Sequence, residues 1–369
     1  MITKVHLENF KGFEQLDLRD ISRITLIGGR NNVGKTSLLE SIFLFYDIGD
    51  PGIFARLLNW RGMDAVSTDA NTLIAPIFRD FNMEHRIKVA LRDSIYDCEM
   101  ELSFDFANMQ KSINVDLSSG ATPSVISQDK ADQFLLVSYA VDITYRIGAF
   151  KEQRVRLVIK QGLNNLTIQF EPGPSSGFPE LMMKGAAFFG LKTKADPGED
   201  AIRFGQLDVE KSNKQILDFL RLIEPNLIEL SSVAFPQKSV IHADIGISHK
   251  IPVPYMGDAV SRLISIILAV ATIKKGIILI DEIDAGIHYS ILPKVWEGIC
   301  RAAQTFNGQI IATTHSYECL QAAYDGTAAA GMSDEFNYFR LDRIKEDMIA
   351  KRYSHETLGA ALQNGWEVR

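Results

Sequence analysis

Apolar and polar positions change rhythm along the chain, and each rhythm predicts an element. Residues 2–8 alternate, Ile2, Lys4, His6 and Glu8 against Thr3, Val5 and Leu7, which suits an edge strand. Asn9-Phe10-Lys11-Gly12-Phe13 turns it, and Leu16 and Leu18 open a second strand. Ile24-Thr25-Leu26-Ile27 is short, apolar and partly β-branched, the composition of a buried strand. Beyond a polar, glycine-containing stretch the spacing becomes helical, with Leu38, Leu39, Ile42, Phe43 and Tyr46 recurring on one side. Residues 47–83 read as broken helix, punctuated by Gly49, Pro51, Gly52 and Pro76.

From 84 to 171 the texture is alternation again: His85 to Leu91, Cys98 to Phe106, Ser112 to Leu117, Leu135 to Ile147, Arg154 to Lys160 and Leu166 to Phe170. Turn residues separate these runs, which predicts an antiparallel sheet lobe with one wet face. Residues 171–205 read as a loop-rich interruption, with Pro172, Gly173, Pro174, Gly177, Pro179 and Pro197-Gly198. A helix carrying Ile216, Leu217, Phe219, Leu220 and Ile223 stops at Pro225. Strands are expected around 227–234 and 240–247, and a helix over 259–273 that is apolar almost all round and therefore buried. No repeat, low-complexity tract or heptad run is present.

The polar stretch after the first buried strand is Gly29-Arg30-Asn31-Asn32-Val33-Gly34-Lys35-Thr36, which fits the phosphate-loop pattern G-x-x-x-x-G-K-[ST]. Strand, glycine turn and helix aim backbone N–H groups and a helix N-terminus at phosphate. Gly29 and Gly34 let the backbone curl where a Cβ would collide, with Asn31, Asn32 and Val33 between them. Lys35 reaches the β- and γ-phosphates as a point charge, Thr36 offers a hydroxyl to Mg²⁺, and Ser37 extends the helix start. A chance glycine turn is the bland alternative, and both flanks argue against it.

Ile277-Ile278-Leu279-Ile280-Asp281-Glu282 is a strand apolar on both faces that ends in two carboxylates. Chemistry in open α/β sheets sits at the carboxyl ends of such strands. Asp281 is the candidate Mg²⁺ holder and Glu282 the candidate base for the attacking water. Asp284 is expected to cap the helix that follows. A third buried strand, from Gln309, ends in Thr313-Thr314-His315-Ser316, where His315 can sense or relay charge at a γ-phosphate.

Composition narrows this further. With 369 residues, 46% hydrophobic and 23% charged, a folded chain of one elaborated or two ordinary domains is expected. A net charge of −7 argues against a surface coated for nucleic acid, though not against one local basic groove. Cys98, Cys300 and Cys319 lie far apart without a CxxC pair, which fits a reducing cytoplasm and no structural metal. The start of the chain lacks a signal-peptide core, and the longest apolar run, Leu263 to Ile273, is too short to span a bilayer, so no membrane role is expected.

Together these pieces resemble the ABC-type ATPase heads shared by SMC proteins, RecF and the OLD family. They are most similar to the stand-alone OLD-like AAA-family ATPases of prokaryotic anti-phage defence modules. The resemblance rests on Glu8-Asn9-Phe10-Lys11-Gly12-Phe13, Gly29 to Ser37, Met256-Gly257-Asp258 with Arg262, Ile280 to Asp284 and Thr313 to Ser316. It implies one α/β head over 1–369: a phosphate-loop parallel sheet core, the antiparallel lobe of 84–171, the insert of 173–232, and a signature, Walker B and switch-histidine lobe over 233–369. It implies ATP and Mg²⁺ as cofactors, His315 as the switch histidine, 284–286 as a D-loop, and Gly257 facing the γ-phosphate held by a second subunit in a head-to-tail dimer. The transporter signature LSGGQ is absent, with Tyr255-Met256-Gly257-Asp258 in its place, and Gln133, Gln153 and Gln206 are only loose candidates for a Q-loop. The stretch after His315 is short for a nuclease domain, so any cleavage of nucleic acid is expected to belong to a separately encoded effector.

Three functions compete. One is an ATPase whose nucleotide-dependent oligomer controls an effector in defence. Another is a RecF-like repair ATPase on DNA, with a modest basic cluster at Arg154, Arg156 and Lys160. The third, a transporter's nucleotide-binding subunit, is weakened by the missing LSGGQ and the large β lobe.

Overall fold

A computed structural model describes residues 1–50, 52–62, 70–112, 136–161, 166–171, 185–192, 196–345 and 347–368. Strands β1 (Ile2–Phe10), β2 (Phe13–Arg19) and β3 (Ile24–Gly29) lead into helix α1 (Lys35–Asp47), then α2 (Ile53–Asn59) and α3 (Ala70–Leu73). Next come β4 (Ile87–Asp93), β5 (Asp97–Ser112), β6 (Leu136–Ile147), β7 (Gln153–Gln161), β8 (Leu166–Glu171) and β9 (Ala186–Phe189). Helices α4 (Pro197–Val209) and α5 (Asn213–Arg221) precede the small sheet β10 (Glu229–Ala234), β11 (Ser239–Asp244) and β12 (Ile251–Pro252). The last part alternates: α6 (Asp258–Thr272), β13 (Ile277–Ile280), α7 (Leu292–Thr305), β14 (Gln309–Thr313), α8 (Tyr317–Ala329), β15 (Phe336–Ile344), β16 (Asp347–Ser354) and α9 (His355–Gln363).

The core is a six-stranded sheet of order β16-β15-β3-β14-β13-β9. β9, β13, β14, β3 and β15 run parallel, and β16 closes the edge antiparallel. Its central strands β3, β13 and β14 are buried on both faces because both are covered. Ile277 and Leu279 join the side packed by α1 and the β lobe, whereas Ile278 and Ile280 join the side packed by α6 and α7. The continuous apolar run of β13 is thus two interleaved core faces. α6 is buried from Leu263 to Ala271, and that part lies within the second core.

The second large sheet is antiparallel, in the order β2-β1-β4-β5-β6-β7-β8. The alternation of 84–171 forms β4 to β8, and β1 is not the edge strand its alternation suggested: it lies between β2 and β4, and β2 takes the edge. The alternation read from Ser112 to Leu117 lies, past Ser112, outside the described residues.

Two expectations need correction. The stretch 171–205 is not simply loop. Its described part holds β9, a strand of the core sheet paired with β13, and most of α4. So 173–232 is not purely a helical insert either. Asp196 caps α4 by accepting from the Gly198 N–H, with Pro197 at the first helical position and Glu199 and Asp200 in the first turn. A proline there is a helix-start signal, so Pro197-Gly198 opens a helix where a loop was expected. Second, Asp284 caps no helix. α7 starts at Leu292, and Asp284 instead accepts from the Thr314 hydroxyl at 2.8 Å.

Candidate active site

Every strand that delivers a candidate group ends on the same edge of the core sheet, because β3, β13 and β14 are parallel. Between β3 and α1 the backbone takes left-handed conformations at Gly29 (φ 133°), Asn32 (φ 63°) and Gly34 (φ 87°). A Cβ on Gly34 would stand 2.5 Å from the Phe13 ring, and one on Gly29 would strike the Leu341 carbonyl. Glycine is therefore required by space as well as by dihedral angle. Lys35 is buried, and its Nζ donates to the carbonyls of Gly29 (2.8 Å) and Arg30 (3.0 Å). Burial lowers its pKa, and the carboxylates of Glu282, Asp281 and Asp284 act in the opposite direction.

Thr36 and Asp281, far apart in sequence, meet here. The Thr36 hydroxyl lies 2.9 Å from Asp281 Oδ2, and Thr313 donates to Oδ1 at 2.7 Å. A threonine hydroxyl beside a carboxylate is a hard-oxygen pair that suits Mg²⁺, which takes few protein ligands and completes its shell with water and phosphate oxygens. Among the described residues no cluster of three or more His, Cys, Asp and Glu could hold a metal by itself.

Glu282 sits just past β13 with a left-handed backbone (φ 48°), a strained state for a non-glycine residue. Three contacts hold it there: its N–H donates to Thr313 Oγ1 (2.9 Å), and Arg262 donates to its carbonyl (3.0 Å) and to that of Asp281 (2.5 Å). The Arg262 guanidinium is half-buried, and its desolvation lowers its pKa, which the carboxylates of Asp281, Asp284 and Glu282 oppose. The twist at Glu282 turns its side chain toward the loop, where Oε1 is 3.3 Å from His315 Nδ1.

A cleft of about 520 Å³ opens over the loop. It is lined by Gly12, Phe13, residues 31–37, Arg61, Glu282, His315, Arg343 and Met348. Asn31, Asn32, Val33, Gly34, Lys35, Thr36 and Ser37 are thus brought together with Glu282 and His315; Gly29 underlies the loop, and Asp281 reaches it through Thr36. Gly257 does not line the cleft; it stands at the start of α6 with φ 92°. Gln153 and Gln206 do not line it either, and Gln133 lies outside the described residues.

Sequence reasoning missed Arg61, Arg343 and Met348. Arg61 is bidentate to the fully buried Glu40 (2.8 and 2.7 Å), which Lys11 also meets at 2.5 Å. Burial works against the Arg61 charge, but the hydrogen bonds and charge of Glu40 outweigh it and raise its pKa. Trp60, stacked on Phe188 of β9 at 4.0 Å, anchors the chain beside it. Nothing in the local pattern marks these residues, since each reaches the cleft through tertiary packing.

Residues 1–170 match a family model described as "AAA ATPase domain", and residues 185–320 one described as "AAA domain, putative AbiEii toxin, Type IV TA system". The chain is 20% identical to an "ATP/GTP phosphatase" of Helicobacter pylori, over 99% of this chain and 98% of that protein. It is 28% identical to an uncharacterised protein of Methanocaldococcus jannaschii, over 29% of this chain and 99% of that protein. A crystal structure of an SMC head bound to the C-terminal winged-helix domain of ScpA superposes with a TM-score of 0.50 at 13% identity, covering 98% of this chain and 99% of that one. At that identity the likeness is one of fold. The fold is α/β and resembles an SMC ATPase head, and with the two AAA matches it supports an ABC-type P-loop ATPase. Among the described residues no helix is long and apolar enough to cross a membrane.

Proposed function

We propose that the chain binds ATP with Mg²⁺ and hydrolyses it, and that the nucleotide state of its oligomer controls a separately encoded effector in anti-phage defence. The observation that carries the hydrolytic part is the meeting of Thr36, Asp281 and Glu282 at the start of α1. In this reading the N–H groups of the loop and the Lys35 ammonium hold the β- and γ-phosphates. Thr36 and Asp281 would hold Mg²⁺, which would neutralise charge on the phosphate oxygens. Glu282 orients the attacking water and takes its proton, and His315 steadies the Glu282 carboxylate. Gly257 serves the nucleotide of a second copy, in keeping with its place outside its own cleft. Glu282→Gln should cut hydrolysis at least about a hundredfold while nucleotide binding persists. Hydrolysis at the normal rate in that variant rejects the assignment.

Support for the regulatory part is narrower. The description matched by 185–320 names a toxin of a Type IV TA system, and the SMC head was crystallised with a domain of another protein, a precedent for a protein partner. A nuclease read from the same transcript would favour defence.

A RecF-like ATPase on DNA is the second reading, favoured by Lys4, Arg19, Lys88, Arg92 and Arg146 on the outer face of the seven-stranded sheet. That face also presents acids: Lys88, Arg92 and Arg146 lie 3.0, 3.1 and 3.4 Å from carboxylates. Arg154 and Arg156 are paired too, with Glu152 and with Asp142 and Asp105. Cations already neutralised release few counterions from DNA, so the salt dependence of binding should be shallow. Tight, ATP-dependent and steeply salt-sensitive binding to gapped duplex would reverse that preference.

A further inference from the structure

The cleft over the loop has two ends, and the sheet order tells them apart. β3, which carries the loop, lies between β14 and β15. Toward β14 and β13 stand Glu282 and His315, the groups suited to the reacting phosphate. Toward β15 the lining is Arg343 and Met348, directly opposite each other on the β15–β16 hairpin, together with Gly12 and Phe13 of the β1–β2 turn. Arg343 is exposed and has no ion pair or hydrogen-bonded side-chain partner among the described residues. Its guanidinium lies 3.8 Å from where a Cβ on Gly12 would stand, and Met348 is buried in the core cluster that also holds Phe13. A free five-donor cation and a polarizable thioether thus flank the end of the cleft away from Glu282.

We infer that Arg343 and Met348 form the nucleoside subsite, taking the purine base of a nucleotide whose phosphates lie over residues 34–37. The inference rests on the nucleotide reading above and adds which part of the ligand lies where. A triphosphate with its terminal phosphorus at Glu282 and its β-phosphate at Lys35 extends its remaining, nucleoside end past β3 toward β15. Ring nitrogens of adenine accept from a planar guanidinium, which also stacks on the ring, and a methionine packs against the ring face.

Equilibrium binding by calorimetry tests this on the full chain, with Mg²⁺, using ATP and inorganic triphosphate as separate probes. Arg343→Ala should weaken ATP about tenfold, the size of one lost charge-assisted hydrogen bond, and leave triphosphate within about twofold. Arg343→Gln should show the same selectivity, and Met348→Leu, which keeps the core filled, should leave triphosphate equally untouched. Equal weakening of ATP and triphosphate by Arg343→Ala makes Arg343 a phosphate ligand and overturns the nucleoside assignment. Unchanged ATP affinity in both Arg343 variants overturns it as well. A wild-type chain that binds neither probe overturns the nucleotide reading itself, and this inference with it.

Discussion

Gly34 shows how little room the loop leaves. Its φ of 87° is one that L side chains rarely adopt, and the Phe13 ring closes the space a Cβ would need. Phe13 is fully buried and cannot swing away without disturbing the core. Gly34→Ala should therefore lower stability by about 1–3 kcal/mol and weaken nucleotide binding more than tenfold, read by thermal melting and calorimetry. Wild-type binding in this variant would mean that the backbone N–H groups of the loop do not hold phosphate. Glu282 poses the opposite case, a bulky residue held left-handed, and the strain is tolerated because Thr313 and Arg262 fix its backbone on both sides.

At the scale of elements, α6 sets the carboxylates through one side chain. Arg262 leaves the helix and binds the carbonyls of Asp281 and Glu282, so α6 and the end of β13 move as one piece. Arg262→Ala should cost about 2–3 kcal/mol of stability, since buried carbonyls lose their donor, and should depress hydrolysis more than binding. Lysine should not rescue it, because an ammonium lacks the fork that reaches both carbonyls.

The contact of α4 with α6 carries a pH dependence. Burial pushes the Asp200 carboxyl up to about 6, although Ser265 and Arg203 act the other way. The Ser265 hydroxyl has one proton for two acceptors, Asp200 at 2.5 Å and the Ser261 carbonyl at 3.0 Å, so a protonated Asp200 satisfies both. Between the ordinary carboxyl value of 3.8 and about 6 the folded chain holds a proton that the unfolded chain has released. Stability from this group is thus full at low pH and falls as pH rises through that window. Asp200→Asn should melt above wild type at pH 7–8, by an amount on the order of 2 kcal/mol, with the advantage gone near pH 4. An advantage independent of pH would assign the effect to packing.

At the scale of the whole molecule, the two large sheets meet where the cleft opens. β16 of the core packs against β2 of the antiparallel lobe, and Phe13, at the start of β2, supports the phosphate loop. The cleft is thus a junction between layers that neither sheet forms alone. The proposed oligomer belongs at this scale, because Gly257 lies outside its own cleft and Tyr255 beside it is 82% exposed. Glu282→Gln with ATP and Mg²⁺ should shift from monomer toward dimer in light scattering, and adding Gly257→Glu should abolish the shift. A dimer that persists with Gly257→Glu would remove that glycine from the interface.

What the residues alone determined is the chemistry carried by local pattern. The phosphate loop needs adjacent residues with particular dihedrals and donors, and β13 and β14 need apolar runs ending in polar groups, so both are written in short spans. Asp196-Pro197 is equally legible as a helix start, although it falls in the stretch expected to be loop. Only the tertiary structure decided which groups share a site. β9 is four residues long and becomes a strand because β13 offers an edge, Asp284 finds Thr314 because parallel strands end together, and Glu282 turns toward the loop because Arg262 and Thr313 hold its backbone. Arg61, Arg343 and Met348 carry no local signature, because facing the cleft is a property of how distant elements pack and not of any spacing along the chain.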